Sequence, residues 1–203
     1  NGNGNLGISG GVVHIGNMPG EMAAIQFIQF ADSTPAVQVS VTRAGQFSTS
    51  VGSTCVRFGN GGIRCFGHGD NGVLGTDSTD DVATAEEIAA LPYIGFGSSD
   101  AAIDMSMGVG HVCAVFANGG VRCWGANSIG ECGQGNTEPV LGDGNGEIAD
   151  IDFIPFAGPE NAVRVTSSVK MSCALFDNGG IRCWGGQPSG AMGTLGVGNS
   201  DNV

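Results

Sequence analysis

Six of the seven cysteines form three pairs with the same spacing in the sequence. This spacing indicates which chemistry the cysteines can serve. Nine residues separate the members of each pair. The pairs are Cys55 and Cys65, Cys113 and Cys123, and Cys173 and Cys183. Paired cysteines serve either metal and redox centres or structural disulfides. Because zinc sites usually leave only two to four residues between paired cysteines, the spacing favours disulfides.

An acidic stretch in the C-terminal half of the chain is the best metal candidate. Its oxygen ligands are Asp143, Asn145, Glu147, Asp150 and Asp152. Such ligands suit calcium, a hard cation. The stretch breaks the EF-hand rule, however, since Ile148 stands where that loop needs glycine and Ile154 where it needs glutamate. Two interpretations stay open, a calcium site and a solvated acidic loop.

The paired cysteines belong to a segment that occurs three times along the chain. Each copy holds a phenylalanine, Asn-Gly-Gly, a β-branched residue, Arg-Cys and an aromatic residue, and the copies begin 58 and 60 residues apart. These offsets predict a first repeat over 1–72, with two extra β-like runs at 25–27 and 37–41. The further repeats are predicted over 73–130, over 131–190 and, as the start of another, over 191–203.

Each copy has the pattern of a β-hairpin. Apolar residues alternate on both sides of Asn-Gly, the strongest short signal for a tight hairpin turn. The cysteines lie five residues before and after the turn asparagine, so antiparallel pairing sets them opposite each other, within reach of a disulfide. Upstream strands are expected at 47–51, 103–107 and 163–166, and a short helix over 83–90. The predicted fold class is all-β.

The repeated segment resembles the repeat of the regulator of chromosome condensation family, in its cysteine-paired bacterial form. The resemblance runs from about 47 to 199. It implies β-propeller blades, one four-stranded blade per repeat and usually seven blades in a ring. Because three repeats cannot close such a ring, it implies a partial propeller or one completed between chains. The exchange activity and chromatin binding of the founding member are not transferred, since no partner-binding residue can be matched here.

Most other reactive side chains are expected to be structural. Cys132 aligns with Leu74 of the previous repeat, so we expect a buried, inert thiol. The histidines occupy unrelated repeat positions, and structural or surface roles are expected for His14, His68 and His111. Motifs of a nucleophile elbow, a P-loop or a HExxH zinc site are absent from the sequence. We therefore predict that the protein is not an enzyme.

The repeated aromatic and arginine positions also have expected roles. One aromatic position is expected in the blade core, and it holds Phe66, Trp124 and Trp184. The arginines before these cysteines are expected to pair with carboxylates, with a ring of anion sites as the alternative. They are Arg64, Arg122 and Arg182.

Charge and composition bound the partners. The net charge is −12, from 7 Lys and Arg against 19 Asp and Glu. This balance argues against nucleic acid, since phosphate binding needs Lys and Arg. No apolar run approaches the ~20 residues of a membrane-spanning helix. The expected disulfides indicate an extracellular or cell-surface protein, because such bonds persist in oxidising compartments.

These patterns predict a non-catalytic extracellular or cell-surface scaffold of propeller repeats, structural or adhesive, that binds protein partners or copies of itself. Glycine-rich strands also suit an assembling subunit of a filament or surface layer. One alternative is a secreted protein-binding propeller that acts as an inhibitor or receptor-like module. A second is a secreted hydrolase. No cofactor is predicted apart from the calcium candidate.

Overall fold

The computed structural model describes residues 17–42 and 52–186. Within them the chain forms three antiparallel β-sheets, each built on one of the repeated Asn-Gly-Gly hairpins. The all-β prediction is confirmed. Among the described residues, none of the helices has the length and apolar character needed to cross a membrane.

The strands follow the chain in three groups, one for each sheet. The first sheet holds β1 (Ala36–Val41), β2 (Ser53–Phe58) and β3 (Ile63–Gly67). The second holds β4 (Ala102–Met107), β5 (His111–Phe116), β6 (Val121–Ala126) and β7 (Val140–Leu141). The third holds β8 (Ala162–Ser167), β9 (Met171–Phe176) and β10 (Ile181–Gly185). The helices are α1 (Glu21–Ala24), α2 (Ala85–Ala90) and α3 (Glu147–Asp150), with a 3-10 turn at Asp70–Gly72.

The three sheets share one design. A first strand pairs antiparallel with a hairpin and carries a register shift near its start. In the first sheet this strand is β1, so the run at 37–41 is the counterpart of β4 and β8 rather than an extra element. The expected strand at 47–51 lies outside the described residues. The expected β-like run at 25–27 is wrong, because this part of the chain forms no strand.

The hairpin register confirms the expected disulfides. Each cysteine lies directly opposite its partner across the two strands. The bonded pairs are Cys55–Cys65, Cys113–Cys123 and Cys173–Cys183. The turn glycines Gly61, Gly119 and Gly179 have φ values of 82°, 81° and 83°, which glycine adopts without the penalty that other residues incur.

The expected helix at 83–90 is α2, and a capping box explains where it starts. The hydroxyl of Thr84 accepts from the backbone N–H of Glu87 at 3.2 Å. The Glu87 carboxylate accepts from the backbone N–H groups of Thr84 and Ala83, each at 2.9 Å. These two reciprocal bonds satisfy N–H groups that lack a partner within the first turn. The hydrogen bond from the Thr84 backbone is the main cause that lowers the pKa of Glu87.

The core lies between neighbouring sheets. One cluster joins the Cys55–Cys65 disulfide to Phe116 and Trp124 of the second sheet. A second cluster joins the Cys113–Cys123 disulfide to Trp184 of the third sheet. Both tryptophans are buried, as is Phe66, so the expected core position of these aromatics is confirmed. The disulfides of the first two sheets thus lie inside the contacts that hold successive sheets together.

Candidate functional site

In the first two hairpins, the repeated arginine lies where two sheets meet, and it is surrounded by aromatic rings. In β6 the guanidinium carbon of Arg122 lies 4.1 Å from the ring centre of Phe153. It lies 5.6 Å from the ring centre of Phe116 and 6.0 Å from that of Phe96. A cation above aromatic faces is attracted by their quadrupoles, most strongly where water is excluded. Arg122 is buried, so this site fastens the second sheet to the segment that leads into the third.

The first sheet repeats the arrangement. The Arg64 guanidinium carbon lies 4.0 Å from the ring centre of Tyr93, 5.0 Å from that of Phe58 and 5.4 Å from that of Phe30. Arg64 also forms a salt bridge with Asp32. The Tyr93 hydroxyl donates to the same carboxylate at 3.1 Å. Ring, cation and anion therefore form one compact unit, which we call an arginine cage.

The polar partners of the three arginines differ. Arg64 and Arg182 pair with carboxylates as expected, and Arg182 contacts Glu160 at 3.2 Å. Arg122 instead donates to the carbonyl of Phe96 at 2.6 Å and to the hydroxyl of Ser98 at 3.3 Å. Within the described residues it forms no ion pair, so the expectation of a carboxylate partner is wrong for Arg122. No ring of open anion sites forms in the described sheets, because Arg64 and Arg122 are buried and Arg182 pairs with Glu160.

The ring closest to Arg64, and the one closest to Arg122, comes from the next repeat. Tyr93 and Phe153 each stand third in a six-residue motif of the form Ile/Leu-x-Phe/Tyr-Ile-x-Phe, at 91–96 and 151–156. Its third residue covers the preceding arginine, and its sixth residue covers the following one. Each motif therefore connects two sheets.

The same motif occurs at 25–30, where the sequence pattern predicts a strand that the structure does not form. Its residues alternate in hydropathy, so the beginning of the segment looked like a strand. The missed signal is its recurrence 66 and then 60 residues later. The segment before β1 thus contains an element of the repeat.

Backbone hydrogen bonds accompany the cages. The N–H of Ile94, just after the Tyr93 ring, donates to the carbonyl of Ile63 in β3 at 2.9 Å. The N–H of Ile154 donates to the carbonyl of Val121 in β6 at 2.8 Å. The two junctions between sheets therefore share one geometry, in backbone as well as in side chains.

The second glycine of each Asn-Gly-Gly turn makes room for the ring. A Cβ atom on Gly62 would lie 2.4 Å from the Tyr93 ring, and one on Gly120 would lie 2.4 Å from the Phe153 ring. Carbon atoms in contact normally stay about 3.5–4.0 Å apart. Contact with the ring of the next repeat thus requires glycine at these two positions, in addition to the conformational requirements of the turn.

The first strands of all three sheets border a polar cavity of about 360 Å³. The Gln38 amide donates to the Asp104 carboxylate at 2.8 Å, and the Arg57 Nε donates to the Gln38 carbonyl oxygen at 2.9 Å. The other Asp104 oxygen accepts from the backbone N–H of Val165 at 2.9 Å. The cavity is lined by Val37, Gln38, Arg57, Ile103, Asp104, Val163 and Arg164. Its polar groups thus tie the first strands of the three sheets to one another.

The sequence-predicted reactive groups are part of the packing. Burial lowers the pKa of His111 to about 4, and its Nε2 lies 2.9 Å from the Ser172 hydroxyl. Burial raises the pKa of the Cys132 thiol, which forms no disulfide. Burial alone would lower the pKa of His68, but Asp70 and Asp81 outweigh it and raise that pKa. His14 lies outside the described residues. Cys132 and His111 are buried, whereas His68 is partly exposed and lies between the carboxylates of Asp70 and Asp81.

The structure does not bring the calcium candidates together. One oxygen of Glu147 accepts from the backbone N–H groups of Gly142, Asp143 and Gly144, at 3.0 to 3.2 Å. The bond from Gly144 is the main cause that lowers the pKa of Glu147. Among the described residues, no three His, Cys, Asp or Glu side chains group so as to hold a metal ion. Besides Glu147, the calcium ligands predicted from the sequence are Asp143, Asn145, Asp150 and Asp152.

Comparison with known proteins identifies the repeat. Residues 102–134, which contain the second hairpin, match the regulator of chromosome condensation (RCC1) repeat. The chain is 26% identical over 185 residues to the E3 ubiquitin-protein ligase HERC2 of Mus musculus. That match covers 89% of this chain but only 3% of HERC2.

Solved structures share the fold. Human WBSCR16 superposes with a TM-score of 0.60 at 18% identity, over 83% of this chain and 38% of that one. Prp20p from Saccharomyces cerevisiae superposes with a TM-score of 0.52 at 18% identity, over 77% of this chain and 33% of that one. The chain thus spans well under half the length of these relatives. Residues 102–134 therefore resemble an RCC1 repeat, and the described residues share the fold of these propellers.

Proposed function

We propose that the chain is a non-catalytic extracellular scaffold whose propeller blades bind other proteins. The observation that carries this proposal is the set of three disulfides at one position of three successive blades. Disulfides persist in oxidising compartments and are rare where cellular thiols stay reduced. Three disulfides at equivalent positions are consistent with a protein that works outside the reducing interior of the cell.

The chemistry of the described side chains supports a binding role over catalysis. A catalytic nucleophile needs an activating base and an accessible reacting atom. Cys132 is fully buried, and His111 is 1% exposed and packed against Ser172. The acidic stretch at 143–152 directs Glu147 to backbone amides. These groups stabilise the fold, so a secreted hydrolase is the less favoured alternative.

The similar proteins indicate the kind of partner. Prp20p binds Gsp1p and histones, and yeast RCC1 (Prp20) has been solved with Kap60. One propeller of this fold thus binds several proteins, and we extend protein binding to this chain. A net charge of −12 disfavours nucleic acid as a partner. Within this role, a structural or adhesive scaffold and an assembling filament or surface-layer subunit are our preferred forms.

The compartment is testable in the source cells. Free thiols are blocked with iodoacetamide at the moment of lysis, and the chain is then followed through the medium, surface and cytosolic fractions. We expect it in the medium or on the surface, with its paired cysteines unmodified. Recovery from the cytosol with all six paired cysteines alkylated would overturn the proposal.

Catalysis is tested separately on the purified, oxidised chain. A broad panel of ester, glycoside, peptide and phosphate substrates is incubated with the chain, with and without calcium. We expect no turnover in either condition. Turnover that co-purifies with the folded chain, and is lost when Asp143 or Glu147 is replaced, would favour the hydrolase alternative.

A further inference from the structure

An asparagine followed by glycine is a pair of residues that can modify itself. The backbone nitrogen of the glycine attacks the side-chain carbonyl carbon of the asparagine, and the amide nitrogen leaves as ammonia. Glycine favours this attack because it has no side chain to block the approach. The chain contains seven such pairs, and five of them lie in the described residues. These five begin at Asn60, Asn71, Asn118, Asn145 and Asn178.

The hydrogen bond of the glycine N–H distinguishes the five pairs. Exposure to water does not, since all five asparagines are exposed. The attacking nitrogen must lose its proton and approach the side chain, so a hydrogen bond that holds the N–H has to break first. The partner of each glycine N–H therefore decides which pair reacts fastest in the folded chain.

In four of the pairs the glycine N–H closes a turn. The N–H groups of Gly61, Gly119 and Gly179 each donate to the carbonyl of the phenylalanine three residues earlier, at 2.9 Å. The N–H of Gly72 donates to the carbonyl of Gly69 at 3.1 Å. In each turn the asparagine stands third and the glycine fourth, and the fourth residue supplies the N–H that closes such a turn. The attacking nitrogen is therefore occupied in these four pairs.

The three hairpin turns also hold the side chain that would be attacked. The side-chain oxygen of each turn asparagine accepts from the N–H of the second glycine of its turn, at 2.8 to 2.9 Å. This second bond must also break before the amide can rotate towards the attacking nitrogen. The hairpin asparagines are thus protected twice.

The pair of Asn145 and Gly146 stands one position earlier in its turn. The N–H of Glu147 closes this turn by donating to the carbonyl of Gly144 at 3.2 Å. The glycine is thus the third residue, and its φ of 85° and ψ of −4° are those of the third residue of a type II turn. The N–H of a third residue takes no part in closing the turn. Within the part of the chain that the structure describes, neither the Gly146 N–H nor the Asn145 amide forms a hydrogen bond.

The surroundings of Gly146 leave room for a cyclic product. A Cβ atom added to Gly146 would meet nothing within 4 Å, whereas one added to Gly61 or to Gly119 would lie 2.4 Å from a side-chain atom. Gly179 is as open as Gly146, but its N–H is bonded. Of the five described pairs, only the one at Asn145 combines an unbonded glycine N–H with open space.

We propose that Asn145 is a site of spontaneous covalent modification, where the folded chain converts asparagine to aspartate and isoaspartate. A bond forms between the Gly146 backbone nitrogen and Cγ of Asn145. The bond from Cγ to Nδ2 breaks, and ammonia leaves with the proton that the backbone nitrogen gave up. Water, the one co-reactant, then opens the cyclic succinimide. Attack at the side-chain carbonyl gives aspartate, and attack at the main-chain carbonyl gives isoaspartate.

The product changes both the charge and the backbone of this loop. A neutral amide becomes a carboxylate, so the chain becomes one unit more negative than −12. The new charge lies two residues before Glu147, whose carboxylate accepts from the backbone N–H groups of 142–144. Isoaspartate also lengthens the main chain by one carbon, close to Ile148, whose N–H donates to Asp77 in the loop after β3 at 2.9 Å. The modification therefore acts where the loops of the first two blades meet.

The test compares the five asparagines within one sample of the full oxidised chain. The chain is kept in mildly alkaline buffer made with oxygen-18 water, and peptide mass spectrometry locates the heavy oxygen that each event incorporates. We expect Asn145 to convert about tenfold faster than the other four, because each of those must first break a hydrogen bond. A reduced sample in urea should convert all five at similar rates, since each precedes glycine. Asn1 and Asn3 also precede glycine, but they lie outside the described residues and are scored separately.

Two variants complete the test. Asn145→Gln keeps the amide but would have to close a larger ring that forms more slowly, so the gain of heavy oxygen at this position should stop. Asn178→Gln removes a pair from a hairpin turn, and it is the matched control that should leave the rate at Asn145 unchanged. Thermal midpoints establish that both variants are folded, and the comparison within the parent chain needs neither of them.

Two results would overturn the proposal. One is a folded chain in which Asn145 reacts no faster than the four asparagines whose glycine N–H closes a turn. The other is a denatured chain that shows the same preference for Asn145, because the preference would then come from the sequence and not from the free N–H of the turn.

Discussion

The sharpest prediction concerns one methyl group at the junction of the second and third blades. Gly120→Ala places a Cβ atom 2.4 Å from the nearest atom of the Phe153 ring. The ring cannot withdraw freely, because it lies 4.1 Å from the Arg122 guanidinium and packs edge-on against Phe116 at 5.6 Å. Relief of the overlap must therefore weaken the cage or separate the blades.

The expected loss combines two opposing effects. Extra atoms in a well-packed site cost about 1–3 kcal/mol. Alanine also restricts the unfolded chain, and this restriction returns about 0.4–1 kcal/mol where the backbone tolerates a side chain. The net loss in free energy of unfolding for Gly120→Ala is therefore about 1–2 kcal/mol.

Gly180→Ala is the matched control. It occupies the same position of the third hairpin, and in both turns the asparagine carbonyl accepts from the glycine N–H, at 2.9 Å for Gly120 and 2.8 Å for Gly180. No ring of the described residues lies near the added Cβ of the control. An added Cβ on Gly180 meets the Asn178 Oδ1 at 2.9 Å, so we expect Gly180→Ala to lose some stability, but less than Gly120→Ala, which also overlaps a ring held in the junction.

The assay is urea unfolding of dilute, oxidised protein, followed by the fluorescence of the tryptophans, both of which are buried. The midpoint of Gly120→Ala should fall further than that of Gly180→Ala. Equal losses in the two variants, or no loss for Gly120→Ala, would refute the assignment of this glycine to contact with the next blade.

The disulfides, the buried histidine and the arginine cages each give one further prediction. The double variant Cys113→Ala with Cys123→Ala should lose about 2–3 kcal/mol of free energy of unfolding, measured in urea, because the disulfide closes a short loop and so lowers the entropy of the unfolded chain. An unchanged free energy would refute the stabilising role of this disulfide. Burial holds the pKa of His111 near 4, so its stabilising effect is present above its ordinary pKa of 6.5 and is lost as the pH falls towards 4. The third blade has methionine at this position, so His111→Met is the test variant. Between pH 7 and 4, urea titrations should show that this variant loses about 3 kcal/mol less free energy of unfolding than the parent. Equal losses would contradict this prediction. Arg122→Met should lower the urea midpoint more than Arg182→Met does. Arg122 contacts three rings and two hydrogen-bond acceptors, whereas the half-exposed Arg182 contacts two rings and one carboxylate. The reverse order would refute the role of the cages.

Local patterns in the sequence were sufficient to predict the hairpins. Asn-Gly sets a tight turn, and a tight turn sets the register that places Cys55 opposite Cys65. The capped helix α2 was predicted from its alanines and glutamates. These features depend on residues close together in the chain, so the local sequence is enough to predict them.

The junctions between blades were harder to predict, because their partners are distant in sequence. Arg122 was expected to meet a carboxylate, yet it lies under rings that stand 26 and 31 residues away at Phe96 and Phe153. The motif at 25–30 looked like a strand because alternation alone does not distinguish a strand from an extended segment that docks its apolar side chains. Sequence also could not show that Glu147 bonds backbone amides of its own loop, and the calcium site stays a prediction.

A thiol count on the chain recovered from outside the source cells tests the central claim most directly. We expect no reactive thiol in the native chain, because Cys132 is buried and the other six cysteines are paired. After denaturation without reductant, one thiol should react, and the intact mass should be six hydrogens below that of the fully reduced chain. Seven reactive thiols with the full reduced mass would contradict a disulfide-stapled extracellular scaffold.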